Sequence, residues 1–368
     1  MLEEKLELFC KENNCIGISA VVADKNKILK DFYYGYASLE EDKETSSDTI
    51  YRMASVSKVV VATAVLMLYD KGLVDLDEDI SKYLGYTVRN PYFPDDIITI
   101  KMLMTQTSSL SDSDEEVVGY DGVNMMTSFV DLKRLLTDPS YEYYTNKTYL
   151  NVKPGTVWHY SNFGCGILAC ILEKVTGTYF TDFVNEHIFH KLGLDASFRV
   201  DEIKKQDKVA SLYILKNNEF SLRRDVEKFR EILFPRYKLG NNFRGPAGGM
   251  FISLKDLSKF MMCLMNEDNP ILKKDTIKLM RTVFWSDPTH YGLYQKKGLQ
   301  LLILDINDTT LYGHTGEAYG LRSFMLFNSD YGYLFACNGA RFKMALEDFS
   351  LVQKQFLNEM MNYTKELK

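Results

Sequence analysis

The chain has 368 residues, of which 46% are hydrophobic and 26% charged, and this composition argues against a disordered, collagen-like or coiled-coil protein. Lys plus Arg number 44 and Asp plus Glu number 50, so the formal net charge is −6, and nucleic acid is not expected as a partner. The longest apolar run, residues 59–69, is about half of the roughly 20 residues that a membrane-spanning helix needs, so no membrane span is predicted.

The N-terminal segment, residues 2–13, has apolar residues at helical spacing between acidic ones and predicts an amphipathic helix. A secretory signal begins with basic residues followed by an apolar core, which this segment does not have. The chain is therefore expected to be cytoplasmic, or extracytoplasmic only if a leader preceded the sequence. The six cysteines include no C-x-x-C pair and are expected to be buried free thiols.

Strand-like runs occur at both ends of the chain. Residues 16–23 and 28–36 flank a polar turn and predict a hairpin, and residues 299–305, 321–328 and 332–337 are further β-rich runs. The pattern between residues 59 and 280 is mostly helical, and residues 344–367 predict a final helix.

This order of elements predicts an α/β (α+β) sandwich. An antiparallel sheet built from both termini would be flanked by helices and interrupted by a mainly helical insertion. We expect residues 1–75 and 245–368 to form the sheet domain and residues 76–244 to form the inserted domain.

The first motif with chemical meaning is S-x-x-K at residues 55–58, directly before the apolar run. Residues i and i+3 share one face of a helix, so Lys58 is expected beside Ser55 in the first helical turn. A serine hydroxyl needs an adjacent base to become a nucleophile, and a desolvated lysine amine can serve as that base. Taken alone, the motif is weak and is more typical of a capping serine and a solvated lysine.

Two further motifs contain polar residues that are predicted to lie where a loop meets a helix or a strand. Y-x-N at Tyr160 and Asn162 follows a Pro-Gly turn and precedes a helix predicted to end at Gly177. A phenol beside an ammonium relays protons, and an asparagine amide holds an amine and a substrate carbonyl together. H-T-G at residues 314–316 precedes a strand, and the N–H of Glu317 would pair with that of Ser55 as an oxyanion hole.

Together the three motifs resemble the serine acyl-enzyme family of class C β-lactamases, D-alanyl-D-alanine carboxypeptidases and related esterases, including penicillin-binding proteins. The flanking segments YRMASVSK (51–58) and GPAGGM (245–250) are also similar to family signatures. The likeness covers nearly the whole chain.

The resemblance implies a role for each matching position. Ser55 would be the acylated nucleophile, Lys58 its proton partner, and Tyr160 the general base or a partner of Lys58 in that work. Substrate would be bound by the remaining motif residues, namely Asn162, His314, Thr315, Gly316 and Glu317. Neither a metal nor another cofactor is expected, and the H-x-x-H pair of His187 and His190 has too few ligands for catalytic zinc.

The departures from the family pattern bear on the substrate. Lactamases of this type usually have lysine where this chain has His314, and Glu317 would repel a substrate carboxylate unless Arg322 or Arg341 compensates. We therefore expect a serine hydrolase that cleaves an ester or amide of a small molecule or short peptide. The alternatives are a D-alanyl-D-alanine carboxypeptidase or weak β-lactamase, and a penicillin-binding or ligand-sensing protein without turnover.

Overall fold

The computed structural model describes residues 2–290, 292–346 and 349–367. Its α-helices, in chain order, are α1 (Leu2–Glu12), α2 (Ser57–Asp70), α3 (Ile80–Leu84), α4 (Ile100–Thr105), α5 (Gly119–Val123), α6 (Leu132–Thr137), α7 (Asn162–Thr176), α8 (Phe180–Val184), α9 (Val226–Glu231), α10 (Leu254–Met265), α11 (Lys274–Met280) and α12 (Leu351–Glu366). The strands are β1 (Gly17–Asp24), β2 (Ile28–Ser38), β3 (Lys43–Glu44), β4 (Ile50–Arg52), β5 (Leu212–Lys216), β6 (Glu219–Arg224), β7 (Phe251–Ser253), β8 (Trp285–Ser286), β9 (Lys296–Lys297), β10 (Leu302–Ile306), β11 (Thr309–Ala318), β12 (Leu321–Phe327), β13 (Tyr331–Cys337), β14 (Met344–Leu346) and β15 (Phe349–Ser350).

The main sheet joins the two ends of the chain. Its strand order is β3-β2-β1-β13-β12-β11-β10-β9-β8, and every neighbouring pair is antiparallel. The junction is the pairing of β1 with β13, in which Ser19 lies opposite Ala336 and Val21 opposite Leu334. The predicted fold class, with an antiparallel sheet from both termini flanked by helices, is confirmed.

Helices cover both faces of this sheet. Alternate residues of β12 belong to different cores. Met325 is part of the apolar cluster that includes residues of α2 and α10, whereas Phe324 is part of the cluster that includes residues of α1 and α12. Every residue of β12 is buried as a consequence. A strand buried on both faces has a continuous apolar sequence rather than an alternating one, which explains why the run 321–328 was recognisable.

Two predicted helical stretches were wrong in part. The final helix begins at Leu351 rather than at residue 344, because Ser350 and Gln353 form a reciprocal capping box there and the preceding residues pair as β14 and β15. The middle of the chain also contains the β5–β6 hairpin, whose turn residues Asn217 and Asn218 have φ values of 50° and 63°. Asparagine tolerates this left-handed conformation, which makes a tight hairpin turn possible. The division into two domains stays a prediction.

Among the described residues, no single helix combines the length and apolarity that a bilayer crossing requires. One bent pair, Asn162–Thr176 with Phe180–His190 at 83°, reaches those limits by length and composition alone.

Candidate active site

Ser55 lies in a 3₁₀ turn, Ala54–Val56, that leads into α2. The serine therefore precedes α2 rather than lying in its first turn as predicted. Ala54 has a φ of 49°, a conformation that is unfavourable for a residue with a Cβ atom and persists only where the surroundings enforce it. Ser57 provides this support, because its buried Oγ donates to the Ala54 carbonyl at 2.6 Å and accepts from the Met250 N–H at 3.1 Å.

Lys58 is fully buried, and its amine touches three polar atoms. Nζ lies 3.1 Å from Ser55 Oγ, 2.7 Å from Asn162 Oδ1 and 2.9 Å from the Ala247 carbonyl oxygen. Burial lowers the pKa of Lys58 to about 8. A neutral amine has two N–H groups and one lone pair. The two carbonyl-type oxygens accept both N–H groups, so the lone pair is left for the hydroxyl proton of Ser55.

Tyr160, in the loop before α7, contacts the same hydroxyl group of Ser55. Its Oη lies 2.6 Å from Ser55 Oγ, and Lys58 Nζ lies 4.9 Å from the centre of its ring. The helix α7 begins two residues later, where Ser161 caps the N–H of Gly164. The structure thus brings the first two motifs, 105 residues apart, into contact at one oxygen atom.

The orientation of Asn162 depends on Asp112, which the sequence analysis missed. Asp112 accepts hydrogen bonds from Ser161 Oγ, from the backbone N–H groups of Asn162 and Phe163, and from Asn162 Nδ2 at 2.7 Å. Because a carboxylate accepts only from donors, the amide of Asn162 must turn its Oδ1 towards Lys58. Asp112 lies in a polar loop, and no spacing in the sequence connects it to a motif 50 residues away.

The third motif lies on β11 and places its backbone against the turn that carries Ser55. A Cβ atom on Gly316 would come within 2.5 Å of the Met53 carbonyl oxygen and 2.3 Å of Ser323 Oγ. Only glycine permits this approach, so residues 315–317 line the cavity beside Ser55.

His314 is completely buried and lies behind that surface. Its ring centre is 6.3 Å from that of Tyr160, and Nδ1 is 2.6 Å from the Thr315 carbonyl oxygen. Burial, together with the positive charges of Lys297 and Lys58, holds the pKa of His314 well below its ordinary value. The third motif is thus electrically neutral near pH 7, and its histidine supports the cavity wall.

Glu317 has a cationic partner. Its carboxylate, on a side chain that is 55% exposed, forms an ion pair with Arg322 on the neighbouring strand. Arg341, the other candidate, donates instead to Asn218 Oδ1 at 3.2 Å. The negative charge at the edge of the cavity is therefore compensated within the sheet.

The cavity above Ser55 has a volume of about 490 Å³. It is lined by Ser55, Trp158, His159, Tyr160, Asn162, His290, Tyr294, Thr315, Gly316 and Glu317. Trp158 stacks on Tyr294 with ring centres 4.9 Å apart, and Tyr294 contacts Tyr160 at 5.9 Å, so one wall is aromatic.

Sequence reasoning missed three of these lining residues, Trp158, His290 and Tyr294. His159, next to Tyr160, lines the cavity as well. The position of Trp158, two residues before Tyr160, was the one available signal.

Comparison with known proteins places the chain in a family. The family model described as Beta-lactamase matches residues 2–349. The chain belongs to the β-lactamase family. The family inferred from the three motifs is thereby confirmed, as is the class of β-lactamase-related serine hydrolase.

Individual members are only distantly similar. Penicillin-binding protein 4* of Bacillus subtilis (strain 168) is 26% identical over 177 residues, which cover 48% of this chain and 36% of that protein. Esterase EstB of Burkholderia gladioli is 29% identical over 195 residues, covering 50% of this chain and 47% of that protein. The chain thus spans less than half of the length of these curated relatives.

A solved structure shares the fold over the whole chain. The D-amino acid amidase from Ochrobactrum anthropi SV3, complexed with D-phenylalanine, has a TM-score of 0.74 and 18% sequence identity. The match covers 100% of this β-lactamase-family chain and 98% of the amidase. At this identity the likeness establishes the fold alone.

Proposed function

We propose that the chain hydrolyses an ester or amide of a small molecule or short peptide through a covalent acyl-enzyme on Ser55. One observation carries the proposal: Ser55 Oγ, at the floor of the cavity, lies within hydrogen-bond distance of both the Lys58 amine and the Tyr160 hydroxyl. Acyl transfer needs a nucleophile with a base and a proton donor beside it, and this arrangement supplies all three.

In the acylation step, neutral Lys58 takes the proton of Ser55 while Oγ attacks the substrate carbonyl carbon. The negative charge that develops on the carbonyl oxygen is stabilised by the backbone N–H groups of Ser55 and Glu317, two residues that line the cavity. Tyr160 then gives its proton to the departing alcohol or amine, and the Lys58 ammonium returns a proton to the phenolate. The products are the acyl-enzyme and the protonated leaving group.

Deacylation uses the same groups in reverse. Tyr160 accepts a proton from water while it gives its own proton to neutral Lys58, and the resulting hydroxide attacks the acyl carbon. The Lys58 ammonium then returns the proton to Ser55 Oγ when the ester bond breaks. The sum of both steps consumes one water molecule and releases a carboxylic acid. Asn162, held by Asp112, positions Lys58 throughout.

Two observations support an ester or small amide over a substrate with a free carboxylate at the β11 edge. Position 314 carries a buried, neutral imidazole rather than a permanent cation, and the positive charge of Arg322 is already paired with Glu317. The esterase and the amidase among the similar proteins are consistent with this substrate class. Penicillin binding is the second candidate, supported by the similarity to penicillin-binding protein 4*.

The test is to incubate the protein separately with a p-nitrophenyl ester, D-phenylalanine amide and a fluorescent penicillin, and then to locate the covalent label by mass spectrometry. We expect turnover of the ester or the amide, an acyl group on Ser55, and loss of both in Ser55→Ala. Ser329→Ala, in an exposed turn after β12, is the matched control and is expected to keep full activity.

A stable penicillin adduct on Ser55 without turnover of any compound would show that the protein binds penicillin and is not a hydrolase. Labelling at another residue, or turnover that survives in Ser55→Ala, would overturn the proposed nucleophile.

A further inference from the structure

Behind the aromatic wall of the cavity lie four buried side chains with unsatisfied polar atoms. Gln106 is 2% exposed, and Lys297, Gln300 and His314 are 0% exposed. In the part of the chain that the structure describes, Gln106 Nε2, Lys297 Nζ, Gln300 Oε1 and His314 Nε2 have no hydrogen-bond partner. Buried polar atoms are nearly always satisfied, so four in one region call for an explanation.

The chemical character of each atom follows from its neighbours. Gln106 Oε1 accepts from the indole N–H of Trp158 at 3.2 Å, which leaves the Nε2 group as a donor. Gln300 Nε2 donates to the Leu103 carbonyl at 3.3 Å, which leaves Oε1 as an acceptor. Nδ1 of His314 carries the proton because it faces a carbonyl oxygen, so Nε2 is an acceptor.

Side-chain and backbone contacts link Gln106, Gln300 and Lys297 in a closed circuit. Gln106 and Gln300 meet at the Leu103 carbonyl, to which the Gln106 backbone N–H also donates at 3.4 Å. The circuit continues from Gln106 through Trp158 to Tyr294, whose ring centre is 5.7 Å from Lys297 Nζ.

Lys297 and Gln300 are joined by a turn in which the Gly298 N–H donates to the Leu301 carbonyl at 2.9 Å. Because Tyr294 also contacts Tyr160, the ring that faces His314, the circuit adjoins the third motif.

Lys297 is the costly member of this group. A buried lysine amine without a hydrogen-bond partner destabilises the folded protein, and an apolar side chain of similar length would not. Burial, and to a smaller extent the charge of Lys58, lowers the pKa of Lys297 to about 7. Residues kept in spite of such a cost, next to an active-site cavity, are candidates for a functional role.

We propose that Lys297 is a positioning residue of the Ser55 site: through ordered water shared with Gln106 and Gln300, it holds the His314 imidazole in its neutral Nδ1–H form and so fixes residues 314–317 beside Ser55. This inference rests on the proposed hydrolase function. Water suits the group because the unsatisfied atoms include both donors and acceptors, and an ordered water bridges such atoms inside a protein.

The charged and titratable groups around His314 come from several elements. They are Lys58 from α2, Tyr160 from the loop before α7 and Lys297 from β9, whose amine lies over the ring of Tyr294. No acidic group is among them, so removal of Lys297 takes away one of two cations that oppose protonation of His314.

The decisive variant is Lys297→Met, with Lys296→Met as the matched control. Lys296 is the adjacent residue on β9, and its exposed amine pairs with Asp305. In Lys297→Met we expect kcat/KM for the p-nitrophenyl ester to fall by at least about tenfold, since a displacement of about 1 Å at a reacting group costs up to roughly a hundredfold. The melting temperature is expected to stay within about 2 °C of that of the unchanged protein, because the desolvation cost of the buried amine is removed together with its hydrogen bonds to water. In Lys296→Met both quantities stay at the values of the unchanged protein.

Two measurements separate this role from a purely structural one. NMR of ¹⁵N-labelled histidine is expected to show the Nδ1–H tautomer for His314 and a higher pKa for its imidazole in Lys297→Met. A crystal structure of the unchanged protein is expected to show water within hydrogen-bond distance of both Lys297 Nζ and His314 Nε2.

The inference is overturned if Lys297→Met loses stability and activity together, if it leaves kcat/KM unchanged, or if Lys297 bonds directly to protein atoms with no water between. The tautomer and the melting temperature do not depend on turnover. A protein that hydrolyses nothing would therefore refute the proposed function while these two readouts still decide the role of Lys297.

Discussion

Lys58 should impose a steep pH dependence on the acylation of Ser55. Only the neutral amine accepts the serine proton, and burial lowers the pKa of Lys58 to about 8. About one-tenth of the enzyme is then active at pH 7 and about nine-tenths at pH 9. We expect kcat/KM to rise nearly tenfold per pH unit below pH 8 and to level off above pH 9. A solvated lysine, with a pKa near 10.4, would extend the rise beyond pH 10.

The assay is the burst of p-nitrophenol from an activated ester, followed in a stopped-flow instrument from pH 6 to 10 at the isosbestic wavelength of the product. Lys58→Arg keeps a permanent positive charge but has no accessible neutral form, so acylation should fall by roughly 10²- to 10⁴-fold at every pH. Lys297→Met should leave the midpoint near 8, because Lys297 has the lower pKa and is mostly uncharged where Lys58 titrates.

A flat profile between pH 6 and 9, or an unchanged ascending limb in Lys58→Arg, would refute Lys58 as the base. Tyr160 would then be the remaining candidate, since it is the other group in contact with Ser55 Oγ.

Further predictions concern the residues that position Ser55. Gly316→Ala places a Cβ atom 2.5 Å from the Met53 carbonyl oxygen and should reduce the rate of acylation by at least about tenfold. The control variant Gly248→Ala, whose Cβ atom would have no neighbour nearer than 3.6 Å, should be tolerated. Equal effects of the two variants in an esterase assay would contradict the close approach of β11. Ser57→Ala leaves the buried N–H of Met250 unsatisfied and should cost about 1–3 kcal/mol in chemical denaturation, and an unchanged midpoint would argue against that contact. Asp112→Asn replaces one acceptor oxygen by an NH₂ group that faces hydrogen-bond donors, so kcat should fall more than KM rises. A change in KM alone would show that Asp112 does not position the residues that act on Ser55.

Several features were predictable because they depend on neighbouring residues. The helix α7 was expected to end at Gly177, and Gly177 has the left-handed φ of 69° that closes many helices. Ser55 and Lys58 were expected to lie close together because they are three residues apart in a helical segment. They do so, although the turn that contains Ser55 is 3₁₀ rather than α-helical. The end strands were recognisable because both of their faces are buried.

Other features depend on residues far apart in the chain and had no local signal. Asp112 orients Asn162 only because two loops meet, and Arg322 neutralises Glu317 only through the register of β11 with β12. Lys297 appears in the sequence as one of two adjacent lysines, of which Lys296 is partly exposed and Lys297 is completely buried. The cytoplasmic location and the domain boundaries stay predictions.

By itself, the sequence determined which chemical groups are present, their family and the contribution of both ends of the chain to one antiparallel sheet, since motif spacing and apolar runs are properties of the linear chain. The tertiary structure alone decided the protonation of those groups. The pKa of an amine or imidazole depends on how much water is excluded around it and on which charges lie nearby, and folding sets both. That is why His314 stays neutral, and why the amines of Lys58 and Lys297 lose their protons more readily than the amine of a solvated lysine.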